Sequence, residues 1–239
     1  MLFKFKNKKI VVDLFTDDQH AYDMFKPKPS REFIPDWWKK MPASRPDKHP
    51  QTHVDGLEIA SMKTCPAIIG FMKEGFIIPS WASIEVQRHI DGKVAWDVLP
   101  TKYMSSHTHA AEDYADHKPG MHHMKFYMPW RIVEKTGVKW LWLQPSWQQR
   151  NPLSHWQSPG TINFKFTHVA EFNFFMPPGG RLSIKPGEPV TQLIPMSESP
   201  IELKYHLVTT EEWERLGMYK GWRINNFKER IKRWRQERE

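Results

Sequence analysis

A single cysteine, Cys65, stands in 239 residues. An internal disulfide framework and any zinc site built on several cysteines are therefore excluded, and the usage fits a reducing compartment. Long apolar runs are also missing. The longest candidate, residues 67–80, is interrupted by Lys73 and Glu74 and falls short of the roughly 18–20 residues that a membrane helix needs. No membrane partner is expected. The opening MLFKFKNKKIVVDLF reads as a strand. Its apolar stretch is short and no small-residue cleavage site follows it, so secretion by a signal peptide is not expected. Glycine is sparse, at 12. Neither G-x-x-x-x-G-K-[ST] nor G-x-G-x-x-G occurs, which excludes a cofactor held by either nucleotide loop.

What is there belongs to a folded chain. Aromatic residues make up 13% and tryptophan alone contributes 12, enough apolar surface for a core despite a mean hydropathy of −0.65. Folding at this length buries roughly 70% of the unfolded surface, so no covalent staple is required. The net charge of +8 is unevenly spread. Residues 220–239 hold eight basic and three acidic side chains, so +5 of it is a property of the tail.

Twenty prolines argue against long helices in the body. Short runs of period-two alternation dominate instead. Residues 77–97 read as a hairpin, with SIEVQRHI and KVAWDVL flanking the turn signal Asp91-Gly92. Further strands are expected at 126–133, 138–143, 162–166, 172–176, 180–184, 190–196 and 202–208. Spacing near ten residues predicts a mainly β fold, a distorted barrel or sandwich, over a single domain of residues 1–208 with a peripheral N-terminal arm. A short helix is expected over 66–73, with Pro66 in its first turn, Thr64 as its cap and Gly75 at its stop. Residues 209–239 read as amphipathic basic helices. Thr209 and Glu212 form a capping-box pair opening a helix that ends near Gly217. Ile224, Phe227, Ile231 and Trp234 then make one apolar stripe. Arg223, Lys228, Arg230, Lys232, Arg233 and Arg235 line the same rod and are the candidate contacts to a nucleic acid or a second chain.

Five of the twelve histidines fall between His107 and His123. His107-x-His109 would put two imidazoles on one face of a strand, and Asp113, His122 or His123 could complete a shell for iron, manganese, nickel or zinc. The spacing His107-x-His109-x3-Asp113-x6-Gly120 resembles the first cupin motif. Asp113 stands where glutamate is usual, and Thr101 where a glycine is expected. A second set, His89-x-Asp91, His168 and Arg181-x-Ser183, follows the order of the iron and 2-oxoglutarate oxygenase pattern. There the first three residues would hold the metal, and the arginine and serine a cosubstrate carboxylate. The competing reading of Asp91 is plain turn chemistry. Cys65 reads as a structural thiol. Trp37-Trp38 lies beside Pro35 and Pro42. Trp140 and Trp142 would share a strand face and could stack a base, a sugar or an aromatic ligand, although core packing or an oligomer interface is the commoner use of such tryptophans.

Three blocks, IPDWWKKMP, KTCPAIIGFMKEGFIIPSW and IKPGEPVTQLIPMSES, resemble an uncharacterised protein family of large tailed phages of marine cyanobacteria, with scattered bacterial members. The likeness covers residues 33–199. It implies the cytoplasm of an infected bacterial host or a virion as the setting, and no catalytic residue. IKPGEPVTQLIP is also similar to the late segment of the dUTPase and dCTP deaminase group. That likeness implies a β-clip, with Gly187 in a tight turn and Gln192 bonding backbone to fix a strand partner. Three classes of function follow. One is a small-molecule-binding or metal-dependent enzyme, and another an oligomeric virion or assembly protein. The third is a nucleic-acid-binding accessory protein acting through the tail.

Overall fold

The computed structural model describes residues 9–44, 60–99, 106–107, 120–148 and 155–217. In chain order the regular elements are β1 (Ile10–Thr16), α1 (Gln19–Met24), β2 (Lys28–Pro29), α2 (Asp36–Lys40) and α3 (Pro66–Lys73). Then come β3 (Phe76–Pro79), β4 (Ser83–Arg88), β5 (Val94–Leu99), β6 (Ser106–His107), β7 (His122–Glu134), β8 (Trp140–Leu143) and β9 (Gly160–Ile162). The chain continues with β10 (Val169–Met176), β11 (Arg181–Ile184), β12 (Pro189–Pro195), β13 (Ile201–Leu207) and α4 (Thr210–Gly217).

The fold is mainly β and consists of three sheets that do not close into a barrel. The first runs β10-β7-β1-β13, with β6 also on β7. The second runs β11-β4-β5, and the third β2-β3-β12-β8-β9. β7 is the longest strand, at 13 residues, and organises the first sheet. One edge of β7 pairs antiparallel with β10 from His122 to Arg131. Its other edge takes β6 opposite Lys125 and Phe126, and β1 opposite residues 131–134.

Alternation decides which face of this sheet is core. In β1, Ile10, Val12, Leu14 and Thr16 are buried while the residues between them are half-exposed, so period two places four side chains inward. Met124, Phe126 and Met128 of β7 and Phe172, Phe174 and Met176 of β10 continue the same apolar layer. Ile84, Val86 and Val98 of the second sheet and Phe76, Trp140 and Leu193 of the third join that core. β1 is thus an interior strand, and the expectation of a peripheral N-terminal arm is corrected for residues 10–16. The reason is pairing across the chain. β1 runs parallel to β13, with Ile10 opposite Ile201 and Thr16 opposite Leu207, a partnership 191 residues apart that local patterning does not reveal.

Local signals placed most other elements. The hairpin turns at Asp91-Gly92, with Gly92 at φ +87°. α3 spans the expected residues and has proline in its first turn. Cys65, rather than Thr64, occupies the cap position, without a side-chain cap bond. The capping box forms: Glu212 N–H donates to Thr209 Oγ1 at 3.2 Å, and Thr209 N–H to Glu212 Oε2 at 3.2 Å. Residues 163–166, expected as strand, form a turn in which Asn163 Oδ1 accepts the Lys165 N–H at 3.0 Å, the local bonding that favours asparagine in turns.

Gly187 and Gln192 both serve the backbone, although Gln192 holds the end of a helix rather than the strand partner expected of it. Gly187 sits in a turn at φ +82°. Gln192, fully buried on β12, donates from Nε2 to Phe71 O and Glu74 O, both at 2.9 Å, and so ties the last turn of α3 to the core. Gly75 makes that approach possible. A Cβ there would lie 1.9 Å from Leu193 O, and its φ is +69°. Gly75→Ala therefore combines a backbone clash with left-handed strain. It should lower the unfolding free energy by about 3 kcal/mol or more, seen as a large fall in the urea midpoint, or abolish soluble expression. Gly70→Ala, with nothing within 4 Å, should be tolerated.

Candidate functional site

The outer face of the first sheet is polar where β7 meets β10. Successive side chains of a strand alternate, so His123, Lys125 and Tyr127 share the face opposite the core residues Met124, Phe126 and Met128. β10 contributes Glu171, Asn173 and Phe175 to the same face. The contacts are diagonal. His123 is opposite Phe175 and its Nε2 bonds Asn173 Oδ1, while Lys125 is opposite Asn173 and its ammonium lies 3.2 Å from Glu171. Such diagonal neighbours are within reach of long side chains. The face is not a solvated one. The Lys125 and Glu171 side chains are only 12% and 13% exposed, so their pairing offsets a desolvation that either charge alone would meet uncompensated.

Farther along the same face Arg131 lies 3.7 Å over the Trp213 ring of α4, and the Trp213 indole donates to Pro129 O at 2.7 Å. These two contacts seat α4 on β7. His168 is buried nearby. Burial holds its pKa below the usual histidine range, against the opposing pull of a hydrogen bond that its ring donates to the Leu216 backbone.

Of the candidate metal residues, His109 and Asp113 lie outside the described residues. The backbone of His107 is in register with Lys125, two residues from His123 on the neighbouring strand. His122 and His123 are consecutive in β7 and project from opposite faces, so one ligand shell cannot take both. Burial lowers the His122 pKa first and the Arg88 guanidinium second. Among the described residues no group of three or more His, Cys, Asp or Glu is arranged to hold a metal.

The structure does not bring the alternative triad together. His89 and Asp91 are exposed at the β4–β5 turn, where Arg88 Nη1 donates to Met176 O at 2.8 Å. His168 sits before the opposite end of β10, eight residues of extended chain or about 25 Å away. Asp91 serves the turn. It accepts the Lys93 N–H at 3.1 Å and pairs with the Lys93 ammonium, which hold its carboxyl below the usual range. Arg181 and Ser183 both engage Glu85 across β4 and β11. The tail residues Arg223, Lys228, Arg230, Lys232, Arg233 and Arg235 lie outside the described residues. Trp140 is wholly buried and Trp142 packs against the core, so neither is a stacking platform.

An interior polar chain was not foreseen. His155 is set edge-on to Phe172 and Phe174, at 6.4 and 6.1 Å between ring centres. Its Nε2 lies 3.1 Å from Gln144 Nε2, while Gln144 Oε1 accepts the Gln157 N–H at 3.1 Å. The amide is thereby oriented with its nitrogen toward the imidazole, so His155 Nε2 must be an unprotonated acceptor. The Gln157 amide continues the chain. An indole N–H only donates, so the Gln157 oxygen faces Trp142 Nε1 and Thr191 Oγ1, and its nitrogen donates to Val190 O. The signal for this chain was faint in sequence, a lone histidine among glutamines whose partners lie on other strands.

Burial lowers the His155 pKa to about 4. Both forms are neutral above the unfolded value near 6.5, so stability should be full above that pH and fall as pH drops toward about 4. The expected loss is about 3 kcal/mol for His155, with His168 adding in the same direction. Urea midpoints measured from pH 7.5 to 4.5 should decline across this window, and His155→Gln, which cannot take up a proton, should flatten the decline.

Among the described residues no helix is long and apolar enough to cross a membrane. No protein-family model matches the chain, and no curated protein does.

Proposed function

We propose that this chain is a small-molecule-binding β protein of the phage-associated kind that its sequence resembles, working as a metal-dependent enzyme at the start of β7. His107, His109 and His123 supply imidazoles and Asp113 a carboxylate. The observation that carries this reading is the bond between His123 Nε2 and Asn173 Oδ1. An amide oxygen accepts, so the proton belongs on Nε2 and the Nδ1 lone pair becomes the ligating one. Metal-bound imidazoles are commonly oriented by such a bond from the other ring nitrogen. The register of β6 supports the reading too, since it sets His107 beside the stretch of β7 that carries His123. Histidines with one carboxylate and open positions suit iron or manganese, and an imidazole-rich set also suits nickel or zinc. The Lys125–Glu171 pair lies on the same face as His123.

Elemental mass spectrometry of the purified, untagged protein tests this. About one equivalent of a transition metal is expected, lost in His123→Ala and in the His107→Ala/His109→Ala double variant. His122→Ala and His89→Ala should retain it, being on the other face of β7 and at a distant turn. A metal-free protein after reconstitution, or a metal kept by His123→Ala, overturns the proposal.

A further inference from the structure

Away from β7, the short helix α2 presents an aromatic and basic surface that nothing above has used. Its residues are Asp36-Trp37-Trp38-Lys39-Lys40, and it follows Pro35. Trp37 is 52% exposed, unusual for so large an apolar side chain, and is held edge-to-face against Trp38 at 5.7 Å. Lys40 lies one turn on from Trp37, on the same side of the helix. The 3-10 turn Met62–Thr64 packs alongside. Ser61 Oγ donates to Pro42 O at 2.6 Å, and Lys63 Nζ donates to Lys39 O at 2.6 Å. Lys40 thus lies on the side of the exposed indole, and Lys63 adds a second cation at the end of the same short helix. Asp36 is the single acid on these two turns, and it is engaged by Lys39 at 3.2 Å.

From this arrangement we infer that α2 and the Met62–Thr64 turn form a binding surface for single-stranded nucleic acid. Stacking on an indole suits an unpaired base, because every base has a π-face, whereas the bases of a duplex are already stacked on one another. Lys40 and Lys63 supply positive charge at this helix for the phosphates of the bound strand, and counterion release makes such contacts salt-dependent. The surface is short, so its affinity is modest and its sequence preference weak. The assignment does not depend on the β7 centre or on the basic tail.

Fluorescence anisotropy with a labelled oligothymidylate of about 12 nucleotides tests it on the full chain at low and raised salt. Trp37 is exposed, so Trp37→Ala should leave the thermal midpoint unchanged while weakening binding by about tenfold or more. Lys40→Glu with Lys63→Glu should also weaken binding and reduce its salt dependence. Three results overturn the inference. One is no binding at low salt. Another is binding that ignores Trp37→Ala and the lysine reversals but disappears when Lys228, Arg230 and Arg233 are reversed. The third is Trp37-dependent binding to anionic phospholipid vesicles with none to the oligonucleotide.

Discussion

The pairing of β7 with β10 is the constraint on which the rest of this molecule depends. Thirteen consecutive residues of β7 are extended, and the pleat sends alternate side chains to opposite sides of the first sheet. One side meets the second and third sheets and holds Met124, Phe126 and Met128 in a common core. The other carries His123, Lys125 and Tyr127. A slip of one residue would exchange the two sets and drive a lysine and a histidine into the aromatic core, so the apolar face enforces the register of the polar one. The geometry of the candidate site thus follows from core packing.

Several polar side chains inside the molecule are answered by partners of complementary character. Glu134 is wholly buried and accepts N–H groups of Thr136 and Gly137 in the turn that follows it. Gln192 closes α3 onto β12, and Gln157 and Gln144 join β8, β12 and the segment before β9. Tyr205 reaches from β13 to the Pro27 carbonyl at 2.7 Å, and burial, with Glu32 nearby, pushes its phenol up to about 12, so it stays a donor. These side chains tie the sheets to the turns, helix and connecting segments around them, which gives them an orienting role that apolar packing alone lacks, since a hydrogen bond specifies direction and dispersion does not.

Much of this was legible from local pattern. Period-two alternation marked β4, β5, β10, β11 and the first half of β7 because each has one face on the core, whereas β12 is buried on both faces. Proline at the start of α3 and the Thr209/Glu212 pair opening α4 are chemistry that acts within a single turn. Gly187 lies in the tight turn expected of it, whereas Gln192 bonds the end of α3 rather than a strand partner. What was not legible is non-local. The position of β1 between β7 and β13 needs partners far along the chain, and the diagonal bonds from β7 to β10 need a register. His155 acquires its neutral, buried character only from Phe172, Phe174 and Gln144. The histidines of the alternative triad were ordered correctly along the chain but stand at opposite ends of β10.

The sequence by itself therefore determined a mainly β chain, its hairpin, the helix at residues 66–73, the capping box that opens α4 and the absence of a cysteine framework or a nucleotide loop. Each of these rests on backbone conformational preference or on residue types that are simply there or not. Tertiary structure alone decided that the sheets stay open, that the first strand is interior, and that His123, and not His122, shares a face with Lys125 and Glu171. The physical reason is that burial and hydrogen-bond partnership are properties of pairs of segments, and the free energy that selects one pairing comes from the shared core rather than from either strand.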